Sequence, residues 1–303
     1  MADDLSSILR SNEATLLVRG GDSEGPCWHP EGYLTFARFR MNQLIRWDPT
    51  TKEDSVIREN TGYGNGCTLD LQGRLIMCEG DARRVTRMER DGSITVVADN
   101  WQGKRFNKPN DVVCRSDGSI YFTDPVGESV PVDQRELGFA GVFRVTPAGE
   151  LQIATDECEY PNGLAFSPDE SVLYVAITRR DLDCIAEVRR GEVCPHRLLR
   201  AFDVAADGSL SNNRVFASMS TPEKGNPDGV AVDTDGRVYC TGAGGVWVFD
   251  PAGNVLGIIR LPEGPRNLAF GGPNLSTLYV TAGDALYSME TKVRGIGSKS
   301  RLS

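Results

Sequence analysis

Oxygen-bearing side chains recur along this chain at one fixed distance from a turn. In Asn226-Pro227-Asp228-Gly229-Val230-Ala231-Val232 an Asp precedes a short apolar run, and a turn glycine, Gly236, follows eight residues after it. Glu24, Asn65, Asn110 and Asn162 open the same arrangement, with turns ending at Gly32, Gly73, Gly118 and Glu170. A sixth, degenerate copy starts at Asn267. If one register brings these residues together, Glu24 and Asp228 supply carboxylates and Asn110 and Asn162 supply amide carbonyls. That is a donor set for a hard cation such as Ca²⁺, which takes six to eight oxygens. A cation also accounts for two acids in one narrow place, where they would otherwise repel. A histidine-rich zinc site is excluded by inventory, because His29 and His196 are the only histidines.

Asn-Gly and Asp-Gly are also common turn dipeptides. Any single copy reads as a turn; five with one offset to the next turn read as a register. For Asn267 both readings stay open. Other chemistries have less behind them. His29, in Trp28-His29-Pro30, reads as a packed core histidine, and no cysteine has a histidine neighbour to activate it. A nucleophile elbow, a P-loop and a dinucleotide fingerprint are all missing. Gly242-Ala243-Gly244-Gly245 joins two strands and reads as a tight turn.

The elements that would position these residues are short strands. After each register residue come an apolar strand, a turn, and a second strand such as Tyr33–Phe36, Ile120–Thr123, Val238–Thr241 or Leu278–Thr281; a third and mostly a fourth follow. Six units of four short strands spell an all-β, six-bladed β-propeller with four-stranded antiparallel blades around a central channel. First strands line the channel of such a fold, so the register residues are expected to form a ring at one mouth. The chain divides into an N-terminal extension (1–13), a single propeller domain (14–290) and a polar tail (291–303). Residues 14–19 read as a strand without a partner in the first repeat and are expected to complete the last blade. Two inserts, 126–141 and 178–197, are lids or solvated elaborations.

Composition narrows the partners. The 303 residues carry 33 Lys+Arg against 42 Asp+Glu, a formal charge of −9. That balance argues against nucleic acid and anionic membrane as partners. No apolar run approaches the roughly 20 residues of a transmembrane helix, and the opening residues lack the basic, apolar pattern of a signal peptide. Eight cysteines without a Cys-x-x-Cys pair suit free thiols in the cytoplasm, although Cys184 and Cys194 flank a polar insert and could meet. Oligomeric state is not readable.

The motifs Ser23-Glu24-Gly25-Pro26, Asn107-Lys108-Pro109-Asn110-Asp111, Tyr160-Pro161-Asn162-Gly163 and Asn226-Pro227-Asp228-Gly229-Val230 resemble those of the senescence marker protein/gluconolactonase family. Asn65-Gly66-Cys67, Cys78-Glu79 and Tyr121–Pro125 are similar to its bacterial sugar-lactonase branch. The resemblance implies a six-bladed propeller with one divalent metal, most often Ca²⁺ with Mg²⁺, Mn²⁺, Fe²⁺ or Zn²⁺ as alternatives. Residues matching Glu24, Asn162 and Asp228 hold it, and Asn110 is a ligand or a substrate contact. It implies a small-molecule lactone substrate, opened with Asp228 orienting or deprotonating water. Asn65, Asn110 and Lys108 would contact that substrate, as would Asp124 and Glu128 near the channel mouth. Lys108 stands where animal members carry an Arg, which leaves the sugar open. A phosphotriesterase resembling diisopropyl fluorophosphatase is the alternative hydrolase on such a ring, and a protein-binding propeller without catalysis is the alternative class.

Overall fold

A computed structural model describes residues 5–126, 130–178 and 197–298. They form six four-stranded antiparallel sheets, the fold class of a six-bladed β-propeller, together with a two-stranded ribbon, Asn100–Trp101 with Lys104–Arg105. The chain forms two compact units, Glu24–Pro161 with Ser298–Ser303, and Met1–Ser23 with Asn162–Gly297. Each holds three blades. In the first unit the blades open with Ser23–His29, Gly64–Leu69 and Val112–Cys114. In the second they open with Pro161–Phe166, Val230–Val232 and Pro265–Gly271.

The burial of each strand explains its composition. Second and third strands are covered on both faces, so Leu75–Glu79, Ile120–Asp124, Val238–Gly242 and Gly245–Phe249 are buried throughout and read as continuous apolar runs rather than as alternation. Fourth strands lie at the rim; Glu53–Glu59 is exposed along nearly its whole length and correspondingly polar. In the third blade Phe106 meets Phe122 and Phe143 edge-on at 5.1 and 5.0 Å between centroids. Such pairs add about 0.5–1.5 kcal/mol each beyond their buried area.

Thr15–Arg19 pairs antiparallel with Ala285–Glu290 as the outer strand of the last blade, as its missing partner in the sequence led us to expect. Residues 5–13 are not a loose extension. Leu5, Ile8 and Leu9 are buried in the core of the last two blades, and backbone bonds run from Arg10 N to Glu290 O and from Lys292 N to Ile8 O. Residues 291–298 are likewise tied down, by a bridge between Asp233 and Gly295 and a 3.0 Å bond from Ile296 N to Val232 O. Of the insert 126–141, the described part packs inward through Val130, Leu137 and Ala140. Glu128, Cys184, Cys194, His196 and most of the insert 178–197 lie outside the described residues. The six cysteines within them form no disulfide with one another, and no described helix is long and apolar enough to cross a membrane.

Candidate functional site

The residue after each register position explains how the blades meet. Gly66 N donates to Asn110 O of the next blade at 2.8 Å, and Gly163 N donates to Asp228 O at 3.1 Å. A Cβ on Gly66 would lie 2.1 Å from Asp111 Oδ1, one on Gly163 2.1 Å from Asp228 O, and one on Gly25 2.1 Å from Asn65 O. These glycines are therefore not turn residues. They stand within or at the start of first strands and allow one blade's backbone to touch the next.

That contact brings register residues together within each unit. Asn162 and Asp228 are linked through Thr178, whose hydroxyl donates to Pro227 O and accepts from Asn162 Nδ2 at 3.0 Å. Because the hydroxyl's proton is committed to a carbonyl, it can only accept from Asn162, and this fixes the orientation of the amide. Among the described residues Asn162 Oδ1 is then a buried acceptor with no hydrogen-bond partner. Leaving such an atom unmatched costs about 1–3 kcal/mol. Asp228, half-buried, is held by its own N–H on Thr241 O at 3.1 Å.

In the other unit, Glu24, Asn65 and Asn110 follow one another along the same backbone contacts. Glu24 is buried, with Oε2 accepting from Gly25 N at 3.2 Å. Lys108 is not held out for a ligand alone: its Nζ lies 3.9 Å from the Tyr63 ring centroid and 3.0 Å from Asp81 Oδ1. Asp124 was expected near the channel mouth, but it is fully buried beneath the segment 107–110. Its Oδ2 accepts from Asn107 N at 2.8 Å and Asn107 Nδ2 at 3.1 Å, and its Oδ1 from Lys108 N at 2.7 Å. Burial raises this carboxyl to about 7, against the pull of those donors and of Arg83. Asp124 supports the loop from below.

The sixth register residue is Arg266, not Asn267. Gly229 N donates to Arg266 O at 2.8 Å, the bond that Gly66 makes to Asn110 and Gly163 to Asp228. Asn267 instead matches Asp111. Each caps the next residue of its own strand, Asn267 Oδ1 accepting from Leu268 N and Asp111 Oδ1 from Val112 N. Each also lies where a Cβ on the preceding blade's glycine would be. Counting back from the turn misleads here. Each hairpin closes on five residues, 272–276 after the pair Gly271–Thr277 and 233–237 after Val232–Val238, but Gly271 comes five residues after Arg266 whereas Val232 comes four after Asp228.

The threonines ending the second strands carry a role not assigned from sequence. Thr123 Oγ1 accepts from Asp111 N, Thr241 Oγ1 donates to Arg266 O, and Thr281 Oγ1 accepts from Asn267 N. Their signal was present as the repeated Tyr-x-Thr of Tyr121–Thr123, Tyr239–Thr241 and Tyr279–Thr281.

Residues 23–284 match the family described as SMP-30/Gluconolactonase/LRE-like region. The chain belongs to that family. Among relatives of the SMP-30/gluconolactonase chain, the gluconolactonase of Zymomonas mobilis is 28% identical over 298 residues, covering 90% of this chain and 79% of its own length. The diisopropyl-fluorophosphatase of Loligo vulgaris is 25% identical, covering 86% and 85%. A solved gluconolactonase from Xanthomonas campestris superposes with a TM-score of 0.82 at 33% identity, covering 95% of this chain and 92% of its own.

For this family member the remaining candidate groups fall away. His29 is buried, stacked on Tyr33 at 4.2 Å and bonded to Thr35 Oγ1 at 3.0 Å; burial, aided by Arg46, lowers it to about 4. Burial raises the thiols of Cys27, Cys67, Cys78 and Cys240, so none is a thiolate near neutral pH. Among the described residues no three His, Cys, Asp or Glu cluster as a metal centre, which leaves amide oxygens among the donors open to a hard cation. Asn162 Oδ1, buried, oriented and unmatched, is one such oxygen; a neutral hard oxygen suits Ca²⁺ or Mg²⁺ better than a soft metal.

Proposed function

We propose that this protein hydrolyses a sugar lactone of the gluconolactone or aldonolactone type to the hydroxy acid. A divalent cation, Ca²⁺ on the chemistry of the donors, is held by Glu24, Asn162 and Asp228, with Asn110 as a further ligand or a substrate contact. Membership of the family and the lactonase names of its relatives support the reaction class. The observation that carries the site is the unmatched Asn162 Oδ1 on the segment bonded to Asp228. The free thiols suit work in the cytoplasm.

When bound, the cation supplies Lewis-acid polarisation of the ester carbonyl. The protein's own groups do the rest. Asp228 orients the attacking water, takes its proton as the new C–O bond forms, and returns it to the ring oxygen as the acyl C–O bond of the lactone breaks. Asn65, Asn110 and Lys108 donate to ring hydroxyls and keep the lactone from turning. Thr178 holds the Asn162 amide so that its oxygen, not its nitrogen, faces the site.

The test is a pH-stat assay on glucono-δ-lactone with chelator-treated protein, before and after return of Ca²⁺, Mg²⁺, Mn²⁺, Fe²⁺ or Zn²⁺. Turnover that chelation abolishes and one of these ions restores is the expected result; turnover indifferent to chelation removes the cation from the reaction. The Loligo relative motivates a second reading, phosphotriester hydrolysis on the same residues. Parallel assays on diisopropyl fluorophosphate decide between them.

A further inference from the structure

Tyr63 is a bulky residue in a backbone conformation that favours glycine. Its φ is +62°, next to Gly62 at +61°, so two successive residues are left-handed. Side chains other than those of Asn, Asp and Gly rarely adopt this conformation, and a Tyr there is held only when its surroundings over-determine it. They do. Tyr63 N donates to Asn42 Oδ1 at 2.6 Å, Gly80 N donates to Tyr63 O at 3.1 Å, and the amides of Asp81 and Ala82 converge on Gly62 O.

The strained backbone delivers the ring to Lys108. The ammonium lies 3.9 Å from the ring centroid and is bounded on another side by Asp81 at 3.0 Å. Gly80 leaves room for the stem, since a Cβ there would come within 3.0 Å of Lys108 Cε. From below, Asp124 fixes the Lys108 amide. Tyr63 stands two residues before Asn65, and Lys108 two before Asn110, so equivalent positions of neighbouring blades face each other beside two register amides.

We propose that Tyr63 is a positioning residue for substrate specificity. It holds the Lys108 ammonium where it donates to the hydroxyl oxygens of a polyhydroxylated ligand, and the left-handed strain is retained for that purpose. The inference rests on the sugar-lactone reading. A cation over a ring face is worth a factor of a few to about thirty in equilibrium terms, and left-handed backbone relaxes when Gly replaces another residue.

The experiment compares Tyr63→Phe, Tyr63→Gly, Lys108→Met and the double variant Tyr63→Gly/Lys108→Met. For each, KM and kcat on glucono-δ-lactone, calorimetric Kd for gluconate, and Tm are measured. Tyr63→Phe keeps the ring face and should stay within twofold of wild type. Tyr63→Gly should raise KM and Kd about tenfold with kcat changed less than threefold, while Tm is unchanged or higher. Lys108→Met should match it, and the double variant should be no worse than either single one. Unchanged KM and Kd in Tyr63→Gly, or additive losses in the double variant, would overturn the proposal. A fall in Tm with Tyr63→Gly would mean the ring is there for stability. If the wild type binds gluconate without opening lactone, the reaction reading fails while the Kd series still judges Tyr63; if it binds none, both fail.

Discussion

Arg266 Nη2 lies 2.5 Å from Asp22 Oδ1, an ion pair between residues 244 apart in the chain. Asp22 immediately precedes the first blade and Arg266 is the register residue of the last. The one cation among the register positions is thus answered by an acid two residues ahead of Glu24. Both side chains are about a quarter exposed, so the pair is partly screened and worth roughly 0.5–1 kcal/mol. Arg266→Met should lower stability by about that amount, and the swap Asp22→Arg with Arg266→Asp should restore most of it. Denaturant melts of wild type, Asp22→Asn, Arg266→Met and the variant carrying both close a double-mutant cycle that measures the coupling; zero coupling means the pair does not hold the blade.

The Asn162–Thr178–Pro227 chain of bonds predicts a second effect. Thr178→Val removes the hydroxyl that orients the amide, with little change of volume. Affinity for the divalent cation should drop about 10- to 100-fold, as for other groups that orient a ligand, and isothermal titration with Ca²⁺ reads it directly. An unchanged affinity would mean that Asn162 Oδ1 is not a ligand.

Asp228→Asn separates holding a cation from moving a proton. The amide keeps an oxygen for a hard cation but cannot take a proton, a role typically worth 10²–10⁴ in rate. Metal content near that of wild type with kcat down by at least a hundredfold is expected. Turnover within a few-fold of wild type would place the base elsewhere.

Gly163→Ala tests the contact between blades. The new methyl would meet Asp228 O at 2.1 Å, and backbone has nowhere to go, so about 3 kcal/mol or more should be lost. Gly32→Ala, with no atom within 4 Å and only its φ of +92° to strain it, should cost about 1 kcal/mol. Equal melting curves for the two variants would contradict the packing described.

Asp124 sets a pH dependence with a definite sign. Its carboxyl is raised from 3.8 to about 7 by burial, with Arg83 as the opposing charge and Asn107 and Lys108 as the opposing donors. The folded state therefore keeps the proton to higher pH than the unfolded chain does. Its contribution to stability is complete below the unfolded value of 3.8 and is lost as pH rises through about 7. The difference in stability between wild type and Asp124→Asn, followed by denaturant melts from pH 4 to 8, should shift against the wild type as pH rises. A shift in its favour would mean that the donors outweigh burial and the ionised form is the stable one.

Most of the architecture was legible because a repeat constrains itself. Each apolar run had five others to be compared with, and the unpartnered strand at 14–19 had only one vacant edge to fill. Of the proposed site, Asn162 and Asp228 are the residues that their own side-chain chemistry nominates. The rest was obscured where a position is defined by backbone pairing, since one extra paired residue in the first strand of the last blade moved the apparent register from Arg266 to Asn267. The burial of Asp124 was not legible, because an acid at a strand end looks alike whether it faces solvent or clamps a loop. Tyr63 could not be found at all from sequence, because its distinction is a φ angle.

The pairing of Thr15 with Ser288 also sets an order of events in biosynthesis. Thr15–Arg19 is made before every other strand described here, yet its partner strand is among the last made. Until then its edge has nothing native to bond with, and joining it afterwards closes a loop whose entropy costs roughly 5 kcal/mol. The pairing of Thr15–Arg19 with Ala285–Glu290 is thus the contact of the last blade that must wait for nearly the whole chain, while the blade's other three strands pair with sequence neighbours.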